Sequence, residues 1–247
     1  MPRRVSFIGA GNVATRMRRR LEQLGWETVR VCSRSGEPVS ELDPQKADLV
    51  IVAVSDDAIP GVLAEVGEAG DALWVHTSGS VGLDAFDAAK FPRRGVLYPL
   101  QTLRKDVDVD WSRVPIFIEG DDPLLGEVAR EMSPTVAPLD SASRRRLHAA
   151  AVMGCNMAMY LWSLSERTMA DAGLDFALLE PLLRLTLERA ISPGPSASIT
   201  GPARRGDLGT IAKHIAALPP EVADTYRTIS RKMLREYHPE IDQSLLP

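Results

Sequence analysis

Cysteine is nearly absent from this chain: Cys32 and Cys155 are its only two, in unrelated segments and without paired spacing. That scarcity excludes a disulfide framework and a zinc site built on cysteine pairs, and it makes a reducing cytoplasm the expected compartment. No block of one charge sign dominates, since 29 basic and 33 acidic residues intermingle to a net charge of -4. The broad positive field that nucleic acid or an anionic membrane requires is therefore missing, and a small molecule is the expected partner. Long apolar runs are also lacking. The richest, residues 147–162, contains His148 and Asn156 and is shorter than a bilayer span. The apolar start is broken by Gly9 and Gly11 and followed by Arg16, Arg18, Arg19 and Arg20, so it is not expected to act as a signal peptide. That arginine run reads as solvated surface of one short helix.

What is present is an alternation of β-type runs and helical patterns along the N-terminal half. Strands are predicted at 5–8, 28–32, 49–54, 73–76, 95–98, 116–118 and 135–137, with helices after 11, at 58–66 and at 82–88. This rhythm is that of a parallel sheet covered on both faces. After Pro138 the β-branched runs give way to helical patterns: about 143–172, opened by Asp140 or Ser141, then 176–191, 207–218 and 221–237. The prolines and glycine after Ser192 predict an irregular connection. The fold class is thus α/β, a doubly wound, mostly parallel Rossmann sheet over 1–139 followed by an all-α domain over 140–247. The middle of the 143–172 helix is apolar on nearly every face, which predicts cover from the rest of its domain or from a second subunit in a homodimer.

Gly9-Ala10-Gly11-Asn12-Val13-Ala14 directly follows the first strand and opens the first helix. In that setting, the first glycine permits a tight turn and the second lets backbone approach a pyrophosphate. The alanine keeps helix and strand close, and the helix N-terminal amides face the anion. Where an NAD site places an acid at the end of the second strand, this chain has Ser33-Arg34-Ser35. A guanidinium and two hydroxyls suit a 2′-phosphate, so NADP is the expected cofactor. Val54, Ser55 and Asp56 end a further strand at the same carboxyl edge. Asp56 and Asp57 read first as helix caps, and Asp56 also falls among the cofactor contacts. Thr77, Ser78 and Gly79 follow the 73–76 strand and are expected at the nicotinamide end.

Further residues carry a family likeness: 75–80 (Val-His-Thr-Ser-Gly-Ser), 98–102 (Tyr-Pro-Leu-Gln-Thr), Asp140-Ser141, 147–152 (Leu-His-Ala-Ala-Ala-Val), Cys155-Asn156, 200–203 (Thr-Gly-Pro-Ala) and 205–207 (Arg-Gly-Asp). Over nearly its whole length the chain resembles bacterial Rossmann-like oxidoreductases whose C-terminal helical half is a domain of unknown function. These are related to ketopantoate reductase, pyrroline-5-carboxylate reductase and 6-phosphogluconate dehydrogenase-like enzymes. The resemblance implies a substrate held between the two halves, near the nicotinamide. Relatives use Lys and Asn on the equivalent long helix, whereas this chain has no lysine between Lys105 and Lys213.

The expected chemistry needs a proton donor near the atom that gains charge. His148 and Asn156, two turns apart on one predicted helix, are the catalytic candidates. His76, Tyr98, Gln101, Thr200 and Arg205 are the substrate-binding candidates, with no metal site. The resulting expectation is NADPH-dependent reduction of a small carbonyl compound such as a ketopantoate-like 2-oxo acid. The alternatives are a cyclic-imine or deazaflavin-linked reductase, or a non-catalytic NADP-binding sensor.

Overall fold

The computed structural model describes residues 2–242, 244 and 246. The chain forms two compact units, Met1–Val152 and Met153–Pro247.

The first unit is built on seven strands: β1 (Arg4–Ile8), β2 (Glu27–Cys32), β3 (Leu49–Val52), β4 (Leu73–His76), β5 (Arg94–Pro99), β6 (Ile116–Glu119) and β7 (Val136–Pro138). They lie in the order β2-β1-β3-β4-β5-β6-β7. All neighbours are parallel except β5 and β6. The order reverses between β1 and β3, and ligands of open α/β sheets bind at the carboxyl ends of strands flanking such a switch. Both faces are buried, as period-two alternation requires. Val5, Phe7, Leu49 and Ile51 join one core with Met17 and Leu21 of α1 (Asn12–Gln23). Ile8, Val50, Val52 and Trp74 join the other with Ile59 and Leu63 of α2 (Ile59–Glu65).

Several elements differ from expectation for local reasons. β3 stops at Val52, with the Ala53 amide completing the last rung of the parallel ladder to the Ile8 carbonyl (2.8 Å). The helix expected at 82–88 is a single 3-10 turn, Leu83–Ala85, after which Phe86 and Phe91 dive into the second core. A helix not foreseen, α3 (Pro123–Met132), begins where the Asp122 carboxylate caps the Leu124 amide, and it buries Leu125, Val128, Ala129 and Met132. Arg16 is buried rather than solvated: its guanidinium donates to the carbonyls of Arg104 and Lys105 and pairs with Asp108 at 2.9 Å.

The change in composition at 139/140 does not end the first unit, which includes α4 (Ser141–Ala151). Arg144 of α4 is fully buried, pairs with Glu119 on β6 and donates to the Val81 carbonyl (2.6 Å), so this helix is sewn to the sheet. The long helix expected at 143–172 is broken by a π-helical stretch, Val152–Met157, before α5 (Ala158–Asp171). The second unit continues through α6 (Glu180–Ile191), the one-turn α7 (Pro195–Ser198) and α8 (Pro202–Arg205), then α9 (Leu208–Ala217) and α10 (Pro220–Tyr237). α7 replaces part of the irregular connection, because proline at a first helical position costs no hydrogen bond. No helix among the described residues is long and apolar enough to cross a membrane.

Candidate active site

Gly9 has φ of +116°, and a Cβ there would sit 2.2 Å from the Ala53 carbonyl oxygen. Both the backbone sign and the contact demand glycine. At Gly11 nothing lies within 4 Å of the place a Cβ would take, so the backbone is open to an approaching group. Gly11 is also the N-cap of α1 and offers no side-chain acceptor to the helix amides, which leaves that positive helix end for an external anion. Asn12 turns its side-chain oxygen to the Lys105 amide (3.1 Å) and braces the loop beside the turn.

A cleft of about 840 Å³ opens from this turn. Of the residues expected at the cofactor, Gly9, Ala10, Gly11, Asn12, Val13, Ser33, Arg34, Val54, Ser55 and Thr77 line it. Ala14 is buried beneath it, tightening α1 against the sheet. Ser35 and Asp56 are exposed and outside the lining. Neither Asp56 nor Asp57 caps a helix, since no side-chain cap bond is formed at either helical start here. Ser78 is buried, its hydroxyl accepting from the amides of Ser80 (3.0 Å) and Val81 (2.9 Å). Sequence reasoning missed an apolar wall formed by Pro38, Val39, Ala58 and Val62. Only Val62 of these lies on α2, and it and Val39 also pack against the second core, so periodicity alone did not assign them to a cleft.

Arg34 decides the character of the far end. Its guanidinium is exposed on the cleft wall and makes no hydrogen bond or ion pair among the described residues. Glu37 and Glu41 pair with Arg30 at 2.9 and 3.2 Å, and Glu65 is the acid that lines the same cleft. The lining therefore fits a phosphorylated dinucleotide: helix amides for a diphosphate, an apolar wall for a base, and an uncommitted cation at the end of β2.

The loop after β4 links this cleft to a second cluster. Thr77 lines the cleft, and two residues later Gly79 packs against His148, so closely that a Cβ at Gly79 would lie 2.5 Å from the imidazole Cγ. Half-buried His148 of α4 meets the hydroxyl of Tyr98, at the end of β5, through Nδ1 at 2.8 Å. Burial raises the Tyr98 pKa, so the phenol stays protonated at neutral pH. With Nδ1 engaged, Nε2 is the imidazole nitrogen free to meet a ligand. The fifty residues between these partners explain why spacing did not pair them.

His76, expected to touch substrate, does not. It is fully buried and stacked on Phe86; Nδ1 accepts from the Ser78 amide (3.3 Å) and Nε2 donates to the Gly82 carbonyl (3.2 Å). Burial, the leading cause, lowers its pKa to about 4, so it is a neutral structural strut. Gln101 is exposed, with its side-chain oxygen taken by the Thr102 amide (2.8 Å). Asn156, Thr200 and Arg205 belong to the second unit, all three exposed. Thr200 borders a 450 Å³ apolar groove between α5 and α10 of that unit. Asp207 caps α9, accepting from the Thr210 amide at 3.0 Å.

Comparison with known proteins adds to this geometry. A Bacteroides fragilis protein of solved structure, described as a candidate NADP oxidoreductase, is 30% identical, with 94% of this chain and 98% of that one covered and a TM-score of 0.85. The chain belongs to that Rossmann-like oxidoreductase family. Residues 114–233, from β6 into α10, match a domain of unknown function, DUF2520. A Thermotoga maritima protein is 22% identical over 96% of this chain and 98% of that one, with a TM-score of 0.66. A reductive aminase from Aspergillus terreus, solved with a nicotinamide cofactor, cyclohexanone and allyl amine, is 15% identical over 100% and 98%, with a TM-score of 0.71. These last two share the family fold. Among curated proteins there is no match to this chain.

Proposed function

We propose that the protein is an NADPH-dependent reductase of a small molecule carrying a polarised C=O or C=N bond. The observation that carries this reading is the Gly9–Gly11 turn opening onto a cleft whose far wall holds the uncommitted Arg34. The α1 amides would hold the diphosphate, and Arg34, with Ser33, the 2′-phosphate. The family relationship to a candidate NADP oxidoreductase supports the same cofactor. Bound there, the dinucleotide would supply a hydride.

His148 is the proposed proton donor. As an imidazolium it donates Nδ1–H to the neutral Tyr98 oxygen and presents Nε2–H outward. Releasing that proton to the substrate oxygen or nitrogen leaves a neutral ring whose remaining proton stays on Nδ1 against the phenol. A histidine in this role makes a helix lysine unnecessary. A ketopantoate-like oxo acid is one candidate substrate; the fold shared with a reductive aminase supports imines as the other. Absorbance at 340 nm over a panel of oxo acids and of ketone–amine mixtures tests the reading. His148→Ala is expected to lower kcat about 10²- to 10⁴-fold without weakening NADPH binding; unaltered turnover in that variant refutes the assignment.

We also propose a homodimer through the helical unit. Leu178, Leu182, Leu185, Leu187 and Ile191, on and just before α6, are exposed, and α6 buries no residue within its own chain. A helix so apolar needs a permanent cover, and a second copy is the one partner always present in equal amount. The free, exposed Cys155 suits a reducing compartment such as the cytoplasm.

A further inference from the structure

The residues between His76 and Leu83 form a loop that is tied down from two sides. From below, His76 bonds the Ser78 amide and the Gly82 carbonyl, and the Ser78 hydroxyl collects the amides of Ser80 and Val81. From α4, the Ser141 hydroxyl accepts from the Leu83 amide (3.1 Å) and donates to Glu119 (2.7 Å), while buried Arg144 donates to the Val81 carbonyl and pairs with Glu119. One end of this loop, Thr77, is cleft wall, and its middle, Gly79, is the surface on which His148 rests. His148 stands one helical turn after Arg144, so the clamp that fixes the loop also fixes the turn of α4 carrying the imidazole.

We infer that Gly79 and Arg144 are positioning residues for His148: the glycine leaves the space that the imidazole occupies when it meets Tyr98, and the guanidinium holds loop and helix in the register that keeps it there. Arg144 is buried, and Gly79, expected at the nicotinamide end, is buried and outside the cleft lining. The inference rests on the proposed role of His148 only for its catalytic consequence; the positional claim stands on contacts alone. A methyl group at 79 must displace the ring, because backbone holds the loop on one side and the 2.5 Å approach leaves no slack on the other. Lysine at 144 would keep the charge but lose the fork that serves Glu119 and Val81 together.

The test combines imidazole ¹⁵N NMR with kinetics on the full chain, comparing wild type with Gly79→Ala, Arg144→Lys and Tyr98→Phe. The His148 signals of Gly79→Ala are expected to move to those of Tyr98→Phe, reporting loss of the Nδ1 hydrogen bond. A displacement of about 1 Å should lower kcat roughly 10²-fold, with NADPH affinity within about 3-fold of wild type. Arg144→Lys should show the same NMR change in part, and it decides the matter should Gly79→Ala fail to fold. His148 signals unmoved in the folded variants would overturn the inference, whatever the kinetics. Moved signals with unchanged kcat would keep the positional claim and instead reject His148 as the proton donor.

Discussion

The two units of this chain solve the same physical problem with very different completeness. The first packs both faces of a seven-stranded sheet, and residues such as Phe7, Leu97 and Trp74 are wholly withdrawn from water. Among its described residues the second has one small cluster, around Ile211, Ala223 and Leu234, while Met153, Met157, Tyr160, Leu182 and Ile191 stand exposed. A sheet enclosed by its own helices finishes its core within one chain, whereas helices apolar on several faces do not. The cofactor-type cleft and the Tyr98–His148 pair lie entirely in the finished unit, where rigid strand ends can hold a site to the needed precision.

Truncating leucines tests that contrast most strongly. Leu97→Ala, in the finished core, should cost about 2–5 kcal/mol by chemical denaturation. Leu182→Ala should cost less than about 0.5 kcal/mol in a lone chain, but a sizeable fraction of the Leu97 figure if a second copy covers α6. Sedimentation of the Leu182 variant then separates the cases: weakened self-association supports the dimer, and a monomeric wild type at micromolar concentration rejects it.

Acid should strike the first unit selectively. His76 is held near a pKa of about 4 against an ordinary 6.5, so the unfolded chain binds its proton first. The stability this buried neutral ring confers is complete above about pH 6.5 and falls away as pH drops toward 4, by about 3 kcal/mol in all. Denaturation at pH 7 and pH 5 should show part of that loss, and His76→Gln should flatten the slope in this window. An unchanged slope would mean that other groups govern it.

The smallest effect expected concerns two hydroxyls. Ser133 is buried, and its Oγ accepts from the Thr135 amide (3.1 Å) as it donates to the Val114 carbonyl. Ser133→Ala should cost about 1–2 kcal/mol. Thr186 makes a comparable bond to the Leu182 carbonyl on the exposed α6, and Thr186→Ala should fall within about 0.5 kcal/mol of zero. Equal costs would blur the contrast between the units.

How much of the molecule is legible in its sequence tracks the range of the forces involved. The glycine turn, Arg34 and the strand periodicity are local, and the structure places them where local rules put them. Thr77 and Val54 were legible because strand ends of one sheet share an edge. Contacts distant in sequence were not: Tyr98 with His148, Arg144 with Glu119, and buried Arg16 with the 104–108 loop. Burial alone turned His76 from a candidate ligand into a strut, and neither its residue type nor its strand-end position announces that. The 139/140 boundary marked where composition changes, but α4 stays with the first unit, tied to it by Arg144 to Glu119 and the Val81 carbonyl and by Ser141 to the Leu83 amide. The π-helical stretch at Val152–Met157 left no sign in the periodicity.

The central claim is most directly tested by titrating the protein with NADPH and NADH and repeating both with Arg34→Ala. One or two charge-assisted hydrogen bonds from Arg34 to a 2′-phosphate predict NADPH tighter by about 10- to 100-fold, with the preference erased in the variant and NADH affinity unaffected. Equal or tighter binding of NADH by the wild-type chain would contradict the account.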